Sequence, residues 1–374
     1  MTAVQVSAKE VSLLRLAAQR LAGPPEAGPV DVVRHLLALQ GQDLRGALVA
    51  TALRAGLAGT GALDVVRDAM AAGEVVRSWP MRGTLHLVPA EDLGWLLALT
   101  AERTLRGAAA RRRELGLDDA TLDRGRQVLV GALEGGRALT REAAVAALTE
   151  AGVLDGPGGR AYHLLFSLAQ TGDVCWGPPV DAPADLPSTT RASDDQRLVL
   201  LAEWVPRPRT LEREEALGEL ALRYLRSHGP ASVADLARWC GLPLGEVRTG
   251  VALARPALEV VGCDGVELLL DPATPERLAA ARAHARRPRL LPGFDEMVLG
   301  YADRTATLSR EDERLVVPGG NGVFAPTVVA GGQAVGTWRR STRRTGPPVV
   351  ATPFRTFTAA VERALPALAE ALPR

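Results

Sequence analysis

Leu36-Leu37-Ala38-Leu39-Gln40-Gly41-Gln42-Asp43 sets two primary amides on either side of a glycine where a helical pattern breaks. Upstream, Val30, Val33, Leu36, Leu37 and Leu39 follow the spacing of an amphipathic helix. Downstream, Leu44, Leu48, Ala52 and Leu53 begin another, with Asp43 placed to cap it. Inside one helix, residues two apart point roughly 200° away from each other, so Gln40 and Gln42 would not act together. At a helix–helix junction, with Gly41 free to adopt unusual backbone angles, both amides can converge on one point. An amide donates and accepts at once, so a converging pair suits the holding of a water molecule. Glutamines near helix ends also commonly cap backbone groups or face solvent, and local pattern alone does not separate the two roles.

The chain has 374 residues, 47% of them apolar and 23% charged, which describes an ordinary globular protein with room for two to four compact units. Its basic residues are arginines apart from Lys9, so Schiff-base chemistry has one candidate near the N-terminus and a lysine-dependent lyase is disfavoured. Formal net charge is +1, modest for a nucleic-acid binder. The arginines cluster, however, at 111–113, at 282, 286, 287 and 289, and most densely over Arg339, Arg340, Arg343 and Arg344. Cys175, Cys240 and Cys263 are odd in number and widely spaced, which argues against a disulfide framework or a zinc site. Lys9 and Glu10 occupy the place of a signal peptide's apolar core, and no apolar run spans a bilayer, so the cytoplasm is the expected compartment.

The periodicity predicts a mainly helical chain with some β structure: three similar modules and a strand-rich end. In residues 1–115, helices over 11–21, 30–39, 44–57 and 63–72 precede strands over 75–79 and 84–88, with Arg82 in the turn between them. Helices followed by a hairpin are the outline of a winged helix-turn-helix. Residues 116–194 hold predicted helices over 122–133, 141–150 and 161–170, a strand at Val174, and a breaker-rich stretch over 177–190 that reads as a linker. Residues 195–288 give the clearest case: a long helix over 211–227, a capping box from Ser232 to Asp235, a stop at Gly241, and strands over 258–263 and 266–270 joined by Asp264-Gly265. In residues 289–374, short strands at 298–299, 315–317, 323–329, 334–338 and 349–350 read as a small barrel or sandwich, closed by a helix over 357–372.

Several other groupings carry less. Asp155-Gly156-Pro157-Gly158-Gly159-Arg160 lacks the Lys-Ser/Thr ending of a phosphate loop. Pro318-Gly319-Gly320-Asn321-Gly322 reads as a tight barrel loop whose tip, Asn321, is placed to touch a ligand. The five histidines are scattered, without metal or triad spacing. Asp295-Glu296 and Asp303-Arg304 could serve acid–base chemistry, but such pairs at domain junctions more often make structural bonds.

Four segments in order complete the pattern: Leu39-Gln40-Gly41-Gln42, Trp79–Leu87, Leu291–Arg304, and Asn321–Thr327 leading to Gly336–Arg340. Together they resemble the winged-helix DNA glycosylases of the AlkZ and YcaQ type, over nearly the whole chain. The resemblance implies three tandem winged helix-turn-helix motifs plus a C-terminal β-barrel-like element. It also implies monofunctional excision of bulky N7-alkylguanines, including those in interstrand crosslinks, in repair and in self-resistance to a genotoxic natural product. In that family a Gln-x-Gln or Gln-x-Asp pair is catalytic, and Gln40 and Gln42 fall on the first form, with Gly41 where an aliphatic residue is usual. The expected partner is double-stranded DNA carrying an alkylated guanine, bound by a monomer without metal or other cofactor. Arg339, Arg340, Arg343, Arg344, Arg286, Arg287, Arg82 and Asn321 are the expected DNA contacts. A transcriptional regulator would more often present two equivalent modules, and a drug-sequestering protein would bind free toxin and ignore DNA. A bulky adduct favours an open cleft over a tight base-flipping pocket.

Overall fold

A computed structural model describes residues 4–180, 196–320, 322–341 and 346–374. Contacts divide the chain into two compact units, residues 1–66 with 214–374, and residues 67–213.

In the first unit the Ala8–Ala18 helix starts at Ser7, whose side chain accepts from Glu10 N–H. It packs against the Thr274–Ala285 helix. Val11, Leu16 and Leu278 lie in one core with Leu291, Met297 and Val329. The helix pair is tied at its edge by Arg282, which donates from both Nη atoms to Glu10 at 2.8 and 2.6 Å. The Val233–Cys240 and Leu244–Ala254 helices are separated by a turn at Gly241, and the predicted capping box is present. Gly250 is required here, because a Cβ would lie 2.3 Å from the Leu217 carbonyl oxygen on the Arg213–His228 helix. Strands Glu259–Cys263 and Val266–Leu270 then form a hairpin whose turn residues, Asp264 and Gly265, both have positive φ (48° and 79°). That is the backbone a two-residue hairpin turn demands.

The strand-rich end departs from the sequence pattern. Strands Val349–Pro353, Gln333–Arg340, Thr327–Ala330 and Arg289–Leu291 make one antiparallel sheet in that order. Among the described residues it does not close into a barrel. Two predicted strands are helical turns instead, Glu296–Leu299 and Glu313–Val316. Periodicity does not distinguish a three-residue apolar run in a buried turn from one in a strand. The first of these turns is started by Asp295, whose carboxylate accepts from Met297 N–H at 2.9 Å. The closing helix covers Ala359–Ala371.

The second unit carries a sheet in the order Thr84–Pro89, Val75–Met81, Val174–Pro179, Gln196–Leu200. The first hairpin and the strand at Val174, predicted in separate modules, are thus neighbours, paired at Arg77 and Trp176. Helices Leu93–Glu114, Asp119–Leu133, Arg141–Glu150 and Arg160–Gln170 belong to the same unit. Trp79, Leu129, Leu164 and Leu198 share its core. The predicted linker begins inside a strand that runs on to Pro179, and most of its length falls outside the described residues.

Candidate functional site

The helix before the two glutamines covers Pro29–Leu36, shorter than its apolar spacing suggests. Leu36, Leu37, Ala38 and Leu39 are all buried, and four consecutive residues do not share one face of a helix. The chain resolves this at Leu37, which takes φ 66° and ψ −46° and ends the helix. The unusual backbone predicted for Gly41 therefore falls four residues earlier, on a non-glycine residue that L side chains strain to place there. Leu39–Gln40 is extended, and the next helix, Leu44–Arg54, starts after Asp43, whose carboxylate accepts from Gly46 N–H at 3.0 Å. Gly46 leaves room for the segment that follows Leu291: a Cβ there would meet the Gly293 carbonyl at 3.0 Å.

The two amides sit in different surroundings. Gln42 is exposed, whereas Gln40 is 6% exposed. The Gln40 main-chain N–H donates to Glu296 Oε1 at 3.0 Å. Glu296, buried in turn, has Oε2 3.0 Å from the donating indole Nε1 of Trp239 and 3.4 Å from His228 Nε2. The His228 ring lies 4.5 Å from that of Tyr224 in a stacked arrangement, and its Nδ1 is 2.8 Å from Ser227 Oγ. Three elements remote in sequence thus hold one backbone amide of the glutamine motif. The side-chain Oε1 of Gln40 is buried and, among the described residues, accepts no hydrogen bond. A buried acceptor left without a donor costs about 1–3 kcal/mol, and Gln40 Oε1 shares that state with other buried atoms, Ser78 Oγ, Trp79 Nε1 and Gln170 Oε1 among them.

Beside this lies a second buried network. Arg54 makes a two-pronged ion pair with Asp295, both contacts 2.9 Å, and donates from Nη2 to Gln19 Oε1 at 2.7 Å. Gln19 donates to the Tyr301 hydroxyl, which donates to the His228 carbonyl. Asp295 and Glu296 therefore serve as structural acceptors, the more ordinary of the two roles their sequence allowed. Trp239 and His228 were not singled out for this site; only the Leu291–Arg304 segment hinted that Glu296 mattered. His35, five residues before Gln40, has Nε2 2.7 Å from the Ala18 carbonyl, and burial pushes its pKa down to about 3, with Arg20 adding to the effect. It is a neutral packing residue near neutral pH.

The other predicted residues scatter. Arg339 is exposed near the end of its strand. Arg340 is half-buried, donates to the Pro373 carbonyl at 3.0 Å, and is pushed down to about 10, by burial first and the charge of Arg45 next. Arg286 and Arg287 are exposed after the Thr274–Ala285 helix. Arg82 is exposed in the second unit's hairpin, with φ 54° and Nη2 3.5 Å from His86 Nε2. Arg343, Arg344 and Asn321 lie outside the described residues. All three cysteines are buried and free, and no group of metal-ligating side chains is found among the described residues. No helix among them is long and apolar enough to cross a membrane.

The chain is similar to known proteins. A family model described as DNA glycosylase AlkZ-like matches residues 33–374. The chain is 27% identical over 346 residues to the interstrand DNA cross-link repair glycosylase of Streptomyces sahachiroi, covering 90% of this chain and 88% of the relative. It superposes on the solved Streptomyces sahachiroi DNA glycosylase AlkZ with a TM-score of 0.77 and 25% identity, over 99% of this chain and all of the other. With the family model spanning both glutamines and the segment that holds them, the chain belongs to the AlkZ-like DNA glycosylases.

Proposed function

We propose that this glycosylase hydrolyses the N-glycosidic bond of bulky N7-alkylguanines in duplex DNA, including guanines joined in an interstrand crosslink, and that Gln40 and Gln42 are its catalytic pair. The observation that carries this reading is the buried, unpartnered Oε1 of Gln40 on a backbone pinned by Glu296, two residues before the exposed Gln42. Alkylation at N7 makes the base cationic, so it leaves without protonation by a strong acid. The C1′–N9 bond breaks with its electron pair going to N9, which neutralises the base, and the sugar becomes oxocarbenium-like. A water oxygen bonds to C1′ and releases its proton to solvent. Gln40 Oε1 accepts one hydrogen of that water, and the Gln42 amide orients it or supports the sugar's developing charge.

No resident metal or cofactor enters this chemistry. The reading is completed by three winged-helix-type modules engaging the duplex, by action as a monomer in the cytoplasm, and by a role in resistance to an alkylating natural product. The crosslink in the name of the Streptomyces relative supports the bulky-lesion assignment.

The test is release of N7-alkylguanine from a duplex by the wild-type protein, by Gln40→Ala and by Gln42→Ala. Loss of one positioned polar group at a site of this kind costs on the order of 100-fold in rate. Binding to undamaged duplex stays within twofold. If binding falls in parallel with release, the glutamines are structural and the assignment is wrong.

A further inference from the structure

Away from the glutamine junction, the first unit holds an open cleft of about 600 Å³ lined by Arg238, Arg304, Arg310 and Arg314, with Phe324 in its wall. Glu313 is the carboxylate among its described lining residues, and it already accepts from Arg304 Nη1 at 2.9 Å. Arg304 is the fixed member of the set. Its Nε donates to the Val298 carbonyl at 3.0 Å, and its guanidinium carbon lies 5.0 Å from the centre of the Phe324 ring. With its side chain 11% exposed, Arg304 is largely enclosed, and among the described residues its Nη2 makes no hydrogen bond. Arg238, Arg310 and Arg314 are exposed, and Arg310 and Arg314 form no ion pair among the described residues. Burial holds the Arg304 guanidinium below the usual arginine range, and the charge of Arg238 adds to the effect. Several like charges around one preorganised guanidinium favour an anion between them.

We propose that this cleft takes a backbone phosphodiester of the DNA substrate, with Arg304 as the fixed anchor and Arg310 and Arg314 as adaptable outer cations. A planar guanidinium held by its own bonds loses little freedom when it meets a phosphate oxygen. Contacts of this type fix the register of a protein on a duplex without reading its sequence. The inference rests on the family's DNA substrate and is independent of which residues excise the base.

The test is equilibrium binding of the full chain to an undamaged duplex oligonucleotide across a salt series, read by fluorescence anisotropy. Arg310→Ala with Arg314→Ala is expected to lower the log–log salt slope by about two units. Both residues are exposed, so folding is retained. Arg304→Lys, which keeps the charge and loses the fork, is expected to weaken duplex binding about tenfold. A slope equal to wild type in the double variant overturns the proposal. Binding of inorganic phosphate that the double variant loses, with its duplex slope unchanged, assigns the cleft to a free anion and overturns it as well. A wild-type protein that binds duplex with the expected salt slope but releases no alkylated base leaves the cleft standing and sinks the proposed substrate, and with it the glutamine assignment.

Discussion

Behind Gln40 the charges are buried and matched, Arg54 against Asp295 and Glu296 against three groups of the first unit. Around Arg304, and along Arg286, Arg287 and Arg339, they are exposed and mostly of one sign. The two regions answer different physical demands. A buried polar network is costly unless its members are satisfied; here the charges are paired, while Arg54 Nε makes no hydrogen bond among the described residues, and the paired groups fix geometry. Exposed cations fix little, but they attract a polyanion and weaken with salt. The comparison assigns chemistry to the first region and affinity to the second, and substitutions in each should separate the two readouts.

The largest effect belongs to the Arg54–Asp295 pair. Asp295→Ala leaves the Arg54 guanidinium buried without its carboxylate, which costs on the order of 3–5 kcal/mol of folding stability. Chemical denaturation measures it. A loss under about 1 kcal/mol would mean that water or rearrangement compensates, and that the matched network is not what holds this region.

Glu296→Gln comes next. Its amide keeps one acceptor for the Gln40 N–H, but the NH₂ group then opposes the Trp239 indole N–H, an arrangement of two donors costing about 1–3 kcal/mol. Because Glu296 acts through the backbone of Gln40, single-turnover base release is expected to fall about tenfold while duplex affinity stays unchanged. An affinity loss equal to the rate loss would place Glu296 in general stability and not in positioning.

How much of this was legible in the sequence follows from range. The hairpin at Asp264-Gly265, the capping box at Ser232 and the cap at Asp43 are local devices, and each stands where the pattern put it. The glutamine pair was found because a short motif survives in one dimension. Its support was not legible: Glu296, Trp239 and His228 come from segments far from Gln40 in the chain, and no periodicity reports that distance. The pattern points to Gly41 for the unusual backbone because glycine is the usual carrier, but burial of four consecutive residues puts it at Leu37. Likewise the Val298 and Val316 turns look like strands in the sequence because short apolar runs are alike in either state.

His35 gives a smaller effect that depends on pH. Its folded pKa is about 3 against an ordinary value near 6.5, so between these limits the unfolded chain binds a proton that the folded one does not. Its contribution is complete above about pH 6.5 and declines as pH falls toward 3, by about 1.4 kcal/mol per unit. Relative to His35→Gln, the wild type should lose about that much stability between pH 6 and pH 5. Parallel pH profiles for the two proteins would mean that the ring protonates in place.

The finest test lies within one arginine pair. Arg339 and Arg340 are neighbours on one strand, yet the first is exposed and the second donates to the Pro373 carbonyl in a half-buried setting. Burial and Arg45 already push Arg340 down to about 10, so freeing it for a phosphate would break a bond that its present place satisfies. Arg339→Ala is expected to lower the salt slope of duplex binding by about one unit, and Arg340→Ala to leave it unchanged. Arg340→Ala should instead lower stability by roughly 1 kcal/mol, the ordinary worth of a hydrogen bond made by a charged donor at a partly wet site. Equal slopes for the two variants would erase the distinction between committed and available cations in this strand. A slope change confined to Arg340→Ala would reverse it, and would mean that DNA draws this arginine away from the chain's C-terminal end.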